Sequence, residues 1–415
     1  MGQRVLFTTS ATPAQPFPAA PLGWAFQAAG HDVLVASAPS LVDTVTGTGL
    51  AATAVGPDPD GTTGWLNGSA APGQHHGRWP PNWPLHLEVL DRSQRRVLEN
   101  LRDGQLRMAE CMVDDLVRLA RRWRPDLIVH DATCLAGAVA GAVIGVPTVS
   151  HLGGSPVLHR MELQEGRAAL LPRYSRLFAR FGVEPRIDPT AWVDPCPPSM
   201  ALSAEGRYLP VRFVPSDRPR SVPGWLLEPP TLPRVCVRWS AGSAEDDVLR
   251  QVLAGVGTLD AEIVLAGTAV LDTVALETLP APVRVADTAP LHPLLRTCDA
   301  VVHQGWPATA LTAAVCGTPQ LVVGGQPEQA LTGDRLVAVG VGRRLPAIEL
   351  PAGEIGADVV GFEVAKLLDR PAYRAAAQRL QAEIERQPAP AELVPMLADL
   401  GSDLPELSHR MGVSG

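Results

Sequence analysis

The sequence lacks the features that mark a disulfide-linked protein or a metalloprotein. Its six cysteines are scattered, and no two of them form a C-x-x-C pair. A disulfide framework or a cysteine-ligated metal site needs closer or patterned spacing, so we predict reduced cysteines. The adjacent His75 and His76 have no further ligands around them in the sequence, and such a pair is a weak metal signal. We therefore expect no metal site.

Long apolar runs and an excess of positive charge are also missing. No run of about 18 apolar residues occurs, so no membrane span is expected. No basic segment followed by an apolar core opens the chain, as a secretory signal would. The net charge of -8 disfavours nucleic acid, because a phosphate backbone calls for a basic face. These absences predict a cytoplasmic protein with neither a membrane nor a nucleic acid as partner.

Length and composition indicate two domains. A chain of 415 residues with 46% hydrophobic and 19% charged residues can bury ample apolar surface. It is longer than one hydrophobic core usually organises, so two α/β domains of about 200 residues each are expected. Helical periodicity also predicts a long helix over Leu85 to Arg124, which Pro125 stops.

The stretch from 298 to 345 is the most informative part of the chain. Short apolar runs alternate there with helical segments, which is typical of parallel strands joined by crossover helices. Ligands in such sheets bind beyond the carboxyl ends of the strands. His303 follows the first of these strands, and Glu328 and Gln329 close the loop after the second. We predict a binding site at this edge.

The order of residues in this stretch resembles the donor site of GT-B glycosyltransferases. The similarity is greatest to the actinomycete enzymes that decorate natural products of the macrolide, aromatic polyketide and enediyne types. It is carried by His303-x-Gly305, Thr309, Gly317-x-Pro319-Gln320 and Glu328-Gln329. The opening strand, the Asp194-Pro-x-Pro-Pro-Ser199 motif and the closing helices fit as well. The resemblance implies an α/β protein of the GT-B fold, with two Rossmann-like domains facing each other across a cleft.

The resemblance also assigns a role to each part of the chain. It implies an acceptor-binding domain over 1–214, a nucleotide-sugar donor domain over 234–385, and a helix and tail over 386–415 that cross back to the first domain. The intervening stretch, 215–233, is dense in proline. Proline-rich linkers are semi-rigid spacers, which suits two lobes that close on a cleft.

The activity implied is transfer of a deoxysugar from a dTDP- or UDP-linked donor to a natural-product acceptor, with inversion at the sugar carbon. The nucleotide sugar would be a co-substrate, and no further cofactor is expected. The partner would be a small-molecule acceptor. The sequence leaves the acceptor, the sugar, O- versus C-glycosylation and the oligomeric state open, with a homodimer as one alternative.

The residue that activates the acceptor is altered. The resembled family carries Gly-His in the loop after the first strand, where this chain has Ala14-Gln15. Gln15 occupies the catalytic position, but an amide does not accept a proton near neutral pH. Asp131, which ends a predicted strand, could act instead if burial raised its pKa. The alternative is that Asp131 only caps the helix that follows it.

Two histidines also end predicted strands near the cleft. We assign His151 as a further catalytic candidate and His130 as an acceptor contact. A structural or solvent-facing role is the alternative for each, because a lone histidine at a strand end more often has such a role.

Tryptophans mark the candidate acceptor surface. The stretch from 56 to 84 lacks periodicity, which is unusual in a compact domain unless the segment covers a site. Trp65, Trp79 and Trp83 could give flat apolar surface to a polycyclic or macrolide acceptor. The alternative is that these rings anchor the loop to the core.

The phosphate turn departs from the family pattern, His-x-Gly-Gly-small-Gly-Thr, whose backbone N–H groups and helix N-terminus hold a diphosphate. Trp306 places a bulky ring where close backbone approach is wanted, and Pro307 removes one N–H. Asp287 stands where a tryptophan often stacks on the nucleobase. The predicted donor contacts are His303, Gly305, Trp306, Thr309, Glu328, Gln329, Ser240 and Leu291.

Two further hypotheses remain open beside the transferase. The scaffold could perform different chemistry on a natural product without a nucleotide sugar. It could also be a non-catalytic partner that supports an active transferase. The fold cannot choose among them, because function belongs to the site.

Overall fold

The computed structural model describes residues 2–10, 18–58, 78–157, 160, 162–163, 169–202, 205–216, 220–240, 246–267, 283–286 and 289–402. Gln15, Trp65, the pair His75 and His76, and Asp287 lie outside the described residues.

The first sheet contains seven parallel strands in the order β3-β2-β1-β4-β5-β6-β7. Its strands are β1 (Arg4–Thr9), β2 (Asp32–Ser37), β3 (Ala52–Ala54), β4 (Leu127–Asp131), β5 (Thr148–His151), β6 (Ala191–Asp194) and β7 (Tyr208–Pro210). Buried apolar residues fill both faces of β1 and β4, as parallel strands covered by helices on two sides require.

Helices cover both faces of this sheet. They are α1 (Ala20–Ala28), α2 (Val42–Thr46), α3 (Arg92–Trp123), α4 (Leu135–Ile144) and α5 (Pro172–Ala179). The predicted long helix is therefore α3, but it begins at Arg92 rather than Leu85. Asp91 accepts the backbone N–H of Gln94, and the Gln94 side chain accepts the N–H of Asp91, which forms a capping box.

The second sheet contains six parallel strands in the order β10-β9-β8-β11-β12-β13. They are β8 (Arg234–Trp239), β9 (Glu262–Gly267), β10 (Val283–Val285), β11 (Ala300–His303), β12 (Gln320–Gly324) and β13 (Gly342–Pro346). The helices of this half are α6 (Asp246–Val256), α7 (Leu291–Leu295), α8 (Pro307–Val315), α9 (Pro327–Ala338), α10 (Glu354–Asp369) and α11 (Pro371–Glu385).

The last helix, α12 (Pro390–Ser402), packs on the first half of the chain. Its Leu393 and Leu397 belong to the same buried cluster as Phe26 of α1 and Val129 of β4. The chain therefore returns from the second sheet to the first. The exact domain boundaries stay a prediction.

The carboxyl edges of the two sheets face each other. Ser155, in the loop after β5, is hydrogen-bonded to the Glu328 side chain, at the start of α9 after β12. Leu311 of α8 shares a buried cluster with Cys196, which follows β6. The loops beyond the strand ends of both halves thus meet at a cleft. Within the described ranges, none of the helices combines the length and apolar character that a membrane crossing requires.

Candidate active site

Asp131 lies at the carboxyl end of β4 and faces the cleft between the sheets. Its Oδ1 accepts hydrogen bonds from the Thr133 backbone N–H at 2.8 Å and the Thr133 hydroxyl at 2.6 Å. The Thr133 Oγ1 lies 2.9 Å from the Ser10 Oγ, so the opening strand reaches the same site. Burial raises the pKa of Asp131, and the bonds from Thr133 offset part of this rise.

These contacts separate the two roles considered for Asp131. The N-cap residue of α4 is Cys134, and no side chain caps that helix. Asp131 closes the turn before the helix and remains partly exposed. A carboxyl group with a raised pKa at the cleft suits proton abstraction better than helix capping, and its role as base stays a prediction.

The two strand-end histidines are both buried and neutral. Asp131 and His151 are partners in the register of β4 and β5, so their side chains share a face, while His130 points to the opposite face. The His151 Nδ1 accepts the Gly153 N–H at 3.2 Å, and the His130 Nδ1 lies 3.0 Å from the Asp131 carbonyl oxygen. Burial lowers the pKa of each to about 4. His151 thus lies beside the carboxyl, and His130 faces away from it.

Glu328 approaches Asp131 from the second half of the chain. It occupies the first turn of α9, partly exposed, and its carboxyl is hydrogen-bonded to Ser155. Burial raises the pKa of Glu328 to about 7, and the negative charge of Asp131 adds to the rise. Two carboxyl groups from the two sheets therefore face one cleft.

Gln329 is buried and holds the loop after β12. Its Oε1 accepts the N–H groups of Gly325 at 3.1 Å and Gln326 at 3.0 Å. The amide oxygen is thus committed to the backbone, and the predicted contact of Gln329 with the sugar stays untested.

His303 fixes the backbone of the phosphate turn by a hydrogen bond from a buried position. The side chain is only 1% exposed, and burial lowers its pKa to about 4, so the ring is neutral. Its Nδ1 accepts the Gly305 N–H at 3.1 Å, so its Nε2–H donates to the Gln320 Oε1 at 2.9 Å. Both ring nitrogens are therefore bonded within the protein. The side chain therefore positions the turn. Any effect of His303 on diphosphate binding would be indirect, through the backbone of that turn.

Gly305 allows the turn to pack closely. It has a φ of +103°, which favours glycine, and a Cβ there would lie 2.7 Å from the Val322 Cγ1 and 2.8 Å from the Gln329 carbonyl oxygen. Trp306 is the N-cap residue of α8 and Pro307 its first residue. The first turn of α8 still offers the backbone N–H groups of Ala308 and Thr309. Thr309 is partly exposed.

Ser240 and Leu291 lie on either side of this turn. The Ser240 N–H donates to the Gln304 Oε1 at 3.1 Å, which ties the loop after β8 to the phosphate turn. Leu291 begins α7 and is largely buried in the apolar cluster beneath that helix. Ser240 is thus placed beside the predicted diphosphate position, whereas Leu291 shapes the wall next to it.

Trp79 and Trp83 do not form an acceptor surface. Their side chains are 0% and 4% exposed. The Trp79 Nε1–H donates to the Gly325 carbonyl and the Trp83 Nε1–H to the Pro327 carbonyl, each at 3.1 Å. Both rings therefore anchor the N-terminal half to the donor loop, which is the alternative that the sequence left open.

A cavity of about 250 Å³ opens beside the cleft, and no sequence pattern predicted it. Its walls are mostly apolar and include Leu152, Val157 and Tyr208. Asp194 adds a carboxyl group, whose pKa burial raises to about 6 and whose Oδ1 accepts the Cys196 N–H at 2.8 Å. Sequence patterns also did not single out Ser155 and Thr133, which bond to Glu328 and Asp131, or Arg238 near the end of β8.

The described residues contain no group of three or more His, Cys, Asp or Glu side chains placed to hold a metal ion. The sequence expectation of no metal site stays a prediction, because His75 and His76 lie outside these residues.

Two family models match the chain, in the order that the fold requires. The N-terminal domain of the erythromycin biosynthesis protein CIII-like family matches residues 24–240, and its C-terminal domain matches residues 250–400. The chain belongs to this family. It is a glycosyltransferase, as the sequence resemblance implied.

One relative and two solved structures are similar to this chain over nearly its full length. The TDP-daunosamine transferase DnrS of Streptomyces peucetius is 34% identical and covers 96% of each chain. The spinosyn forosaminyltransferase SpnP has a TM-score of 0.75 at 29% identity, covering 97% of this chain and 100% of its own. The glycosyltransferase VinC, solved with dTDP, has a TM-score of 0.78 at 27% identity, covering 96% and 99%. The GT-B fold prediction is confirmed.

Proposed function

We propose that the enzyme transfers a deoxysugar from a dTDP-linked donor to a polyketide-derived natural product, macrolide or aromatic. The observation that carries this proposal is the meeting of Asp131 and Glu328 at one cleft, with the phosphate turn on the second sheet beside them. Support comes from relatives whose names include a tylactone mycaminosyltransferase and an aklavinone rhodosaminyltransferase. Both names pair a deoxysugar with such an acceptor.

The reaction in this proposal is a direct displacement with inversion. The Asp131 carboxylate takes the proton of an acceptor hydroxyl, and the oxygen forms a bond to the anomeric carbon. The bond from that carbon to the diphosphate breaks on the opposite side, and the diphosphate leaves with the electron pair. Glu328 orients the sugar hydroxyls, while the backbone of the phosphate turn and the N-terminus of α8 hold the diphosphate.

The raised pKa of Asp131 is the physical reason for choosing it as base. A carboxylate with an ordinary pKa is a poor proton acceptor for a hydroxyl, and a base works best when its pKa lies near the operating pH. Burial moves the pKa of Asp131 in that direction. Thr133, bonded to its Oδ1, leaves Oδ2 to meet the substrate.

We also propose that the nucleotide sugar is the only co-substrate, with no metal or other cofactor, and that the enzyme acts in the cytoplasm without a nucleic-acid or membrane partner. A homodimer remains one alternative for its assembly. The cysteine pattern supports the proposal of no metal, the net charge of -8 the proposal of no nucleic acid, and the absence of long apolar runs the proposal of no membrane partner.

The proposal is tested by incubating the purified chain with dTDP-deoxysugars and a panel of macrolactone and anthracyclinone aglycones, with products detected by mass spectrometry. We expect a product heavier by one deoxysugar residue and release of dTDP. Calorimetric titration with dTDP alone, in the same preparation, separates donor binding from turnover. A folded chain that fails to bind dTDP at millimolar concentration contradicts the proposal.

A further inference from the structure

The phosphate turn has no charge of its own. Residues 303–309 read HQGWPAT, and none of these side chains is ionised at neutral pH because burial keeps His303 neutral. Pro307 also lacks the N–H that another residue would offer at the first position of α8. A diphosphate carries negative charge, so an ionised side chain that binds it would have to come from a neighbouring element.

Arg238 lies on the neighbouring strand at the same edge. It is the second-last residue of β8 and pairs in register with His303 of β11. Adjacent strands are about 4.8 Å apart, so the two residues are direct neighbours. Val237 and Trp239 belong to the buried cluster on the other face of the sheet, so Arg238 shares the face of His303. Arg238 is also partly exposed.

Gly267, at the end of β9, makes room for this guanidinium. A Cβ on Gly267 would lie 2.0 Å from the Arg238 Nη1, and the glycine has a φ of +123°. The Arg238 Nη1–H donates to the Trp239 carbonyl at 3.0 Å, which holds the group at the carboxyl edge. A guanidinium presents five N–H donors in a fixed plane, a geometry that suits phosphate oxygens.

The loop that follows Arg238 is bonded to the phosphate turn itself. Ser240, two residues after Arg238, donates its N–H to Gln304, which lies between His303 and Gly305. The strand that carries Arg238 is therefore hydrogen-bonded, through the loop that follows it, to the phosphate turn. A guanidinium binds phosphate oxygens in a bidentate manner, which a lysine ammonium does not.

We propose that Arg238 binds the diphosphate of the nucleotide donor and supplies the positive charge that the turn lacks, a role that rests on the proposed function. The turn contributes backbone N–H groups and shape, and Arg238 contributes charge. The obstruction of the turn by Trp306 and Pro307 is compensated in this way from the neighbouring strand.

The test is calorimetric titration of the full chain and its Arg238→Met and Arg238→Lys variants with dTDP, dTMP and thymidine. We expect Arg238→Met to weaken dTDP binding by about 10- to 100-fold, the range for a lost charge-assisted hydrogen bond. The loss for dTMP should be smaller, and thymidine binding should not change. Arg238→Lys should recover part of the affinity.

The control is Arg250→Met, which removes a positive charge from an exposed position on α6 and should leave dTDP affinity unchanged. Failure of the unmodified chain to bind dTDP would overturn the proposed function and this role with it. Unchanged dTDP affinity in a folded Arg238→Met variant would overturn the role alone. An equal loss for thymidine would overturn it too, because Arg238 would then act on the nucleoside or on folding.

Discussion

The carboxyl edges of the two sheets use similar polar residues in different ways. On the first sheet, Asp131 keeps part of its surface exposed and one carboxyl oxygen beyond its bonds to Thr133. On the second sheet, both ring nitrogens of His303 and the amide oxygen of Gln329 are bonded within the protein. The first edge therefore presents a carboxyl side chain to the cleft, whereas His303 and Gln329 on the second edge hold the backbone in place.

The same difference is seen within the turn at 303–309. Side chains that shape the turn are retained, because His303 and Gly305 fix its backbone. The departures from the family pattern, Trp306 and Pro307, lie at the N-terminus of α8. Charge then has to come from a side chain outside the turn.

The largest expected effect is on the first edge. Asp131→Asn keeps an oxygen to accept the Thr133 bonds but cannot take a proton. We expect kcat to fall by about 100- to 10,000-fold, the usual contribution of a general base, with little change in dTDP affinity. Initial rates and calorimetry measure the two quantities. Asp43→Asn, at an exposed position of α2, is the matched control. Full activity in Asp131→Asn would mean that another group is the base.

The second prediction concerns the backbone of the donor turn. Gly305→Ala adds a Cβ at a positive φ and forces it towards the Val322 Cγ1, so we expect a loss of about 2–4 kcal/mol in the free energy of unfolding. Gly145→Ala has a similar positive φ of +74° but open space around the Cβ. It should cost only about 1–2 kcal/mol, the strain alone. Equal losses in urea unfolding would show that the close contact at Gly305 is unimportant.

The third prediction separates the buried histidines of the two edges. His303→Leu removes the hydrogen-bond partners of the Gln320 Oε1 and the Gly305 N–H, so the free energy of unfolding should fall by about 1–3 kcal/mol, and dTDP binding should weaken. His151→Leu removes a single bond to the Gly153 N–H and should leave dTDP binding intact. Comparable losses of dTDP affinity in both variants would remove the distinction between the edges.

The smallest effect concerns pH. Because the pKa of Glu328 is raised to about 7, its carboxyl is half protonated near neutrality. Only the ionised form accepts hydrogen bonds with both oxygens, so the KM for the sugar donor should fall several-fold as pH rises through about 7. Glu328→Gln should lose this inflection while keeping a measurable rate. Persistence of the inflection in that variant would assign it to another group.

Much of the fold followed from local patterns. Hydrophobic periodicity and the positions of glycine and proline depend only on residues that are close in the sequence. The parallel strands and the turn after His303 were therefore predictable. The start of α3 was missed, although Asp91 and Gln94 have the spacing of a capping box. The sequence could not decide whether Trp79 faces an acceptor or anchors a loop. The reason is that Trp79 is hydrogen-bonded to Gly325, which lies far away in the sequence.

The sequence by itself determined the family, the two-sheet architecture, the loss of a histidine at Gln15 and the absence of charge in the phosphate turn. These are matters of residue type and local spacing. Only the tertiary structure decided that Glu328 meets Asp131, that the nitrogens of His303 are both bonded, and that Arg238 lies over Gly267. The reason is that hydrogen bonding, burial and pKa depend on residues that packing brings together from distant parts of the chain.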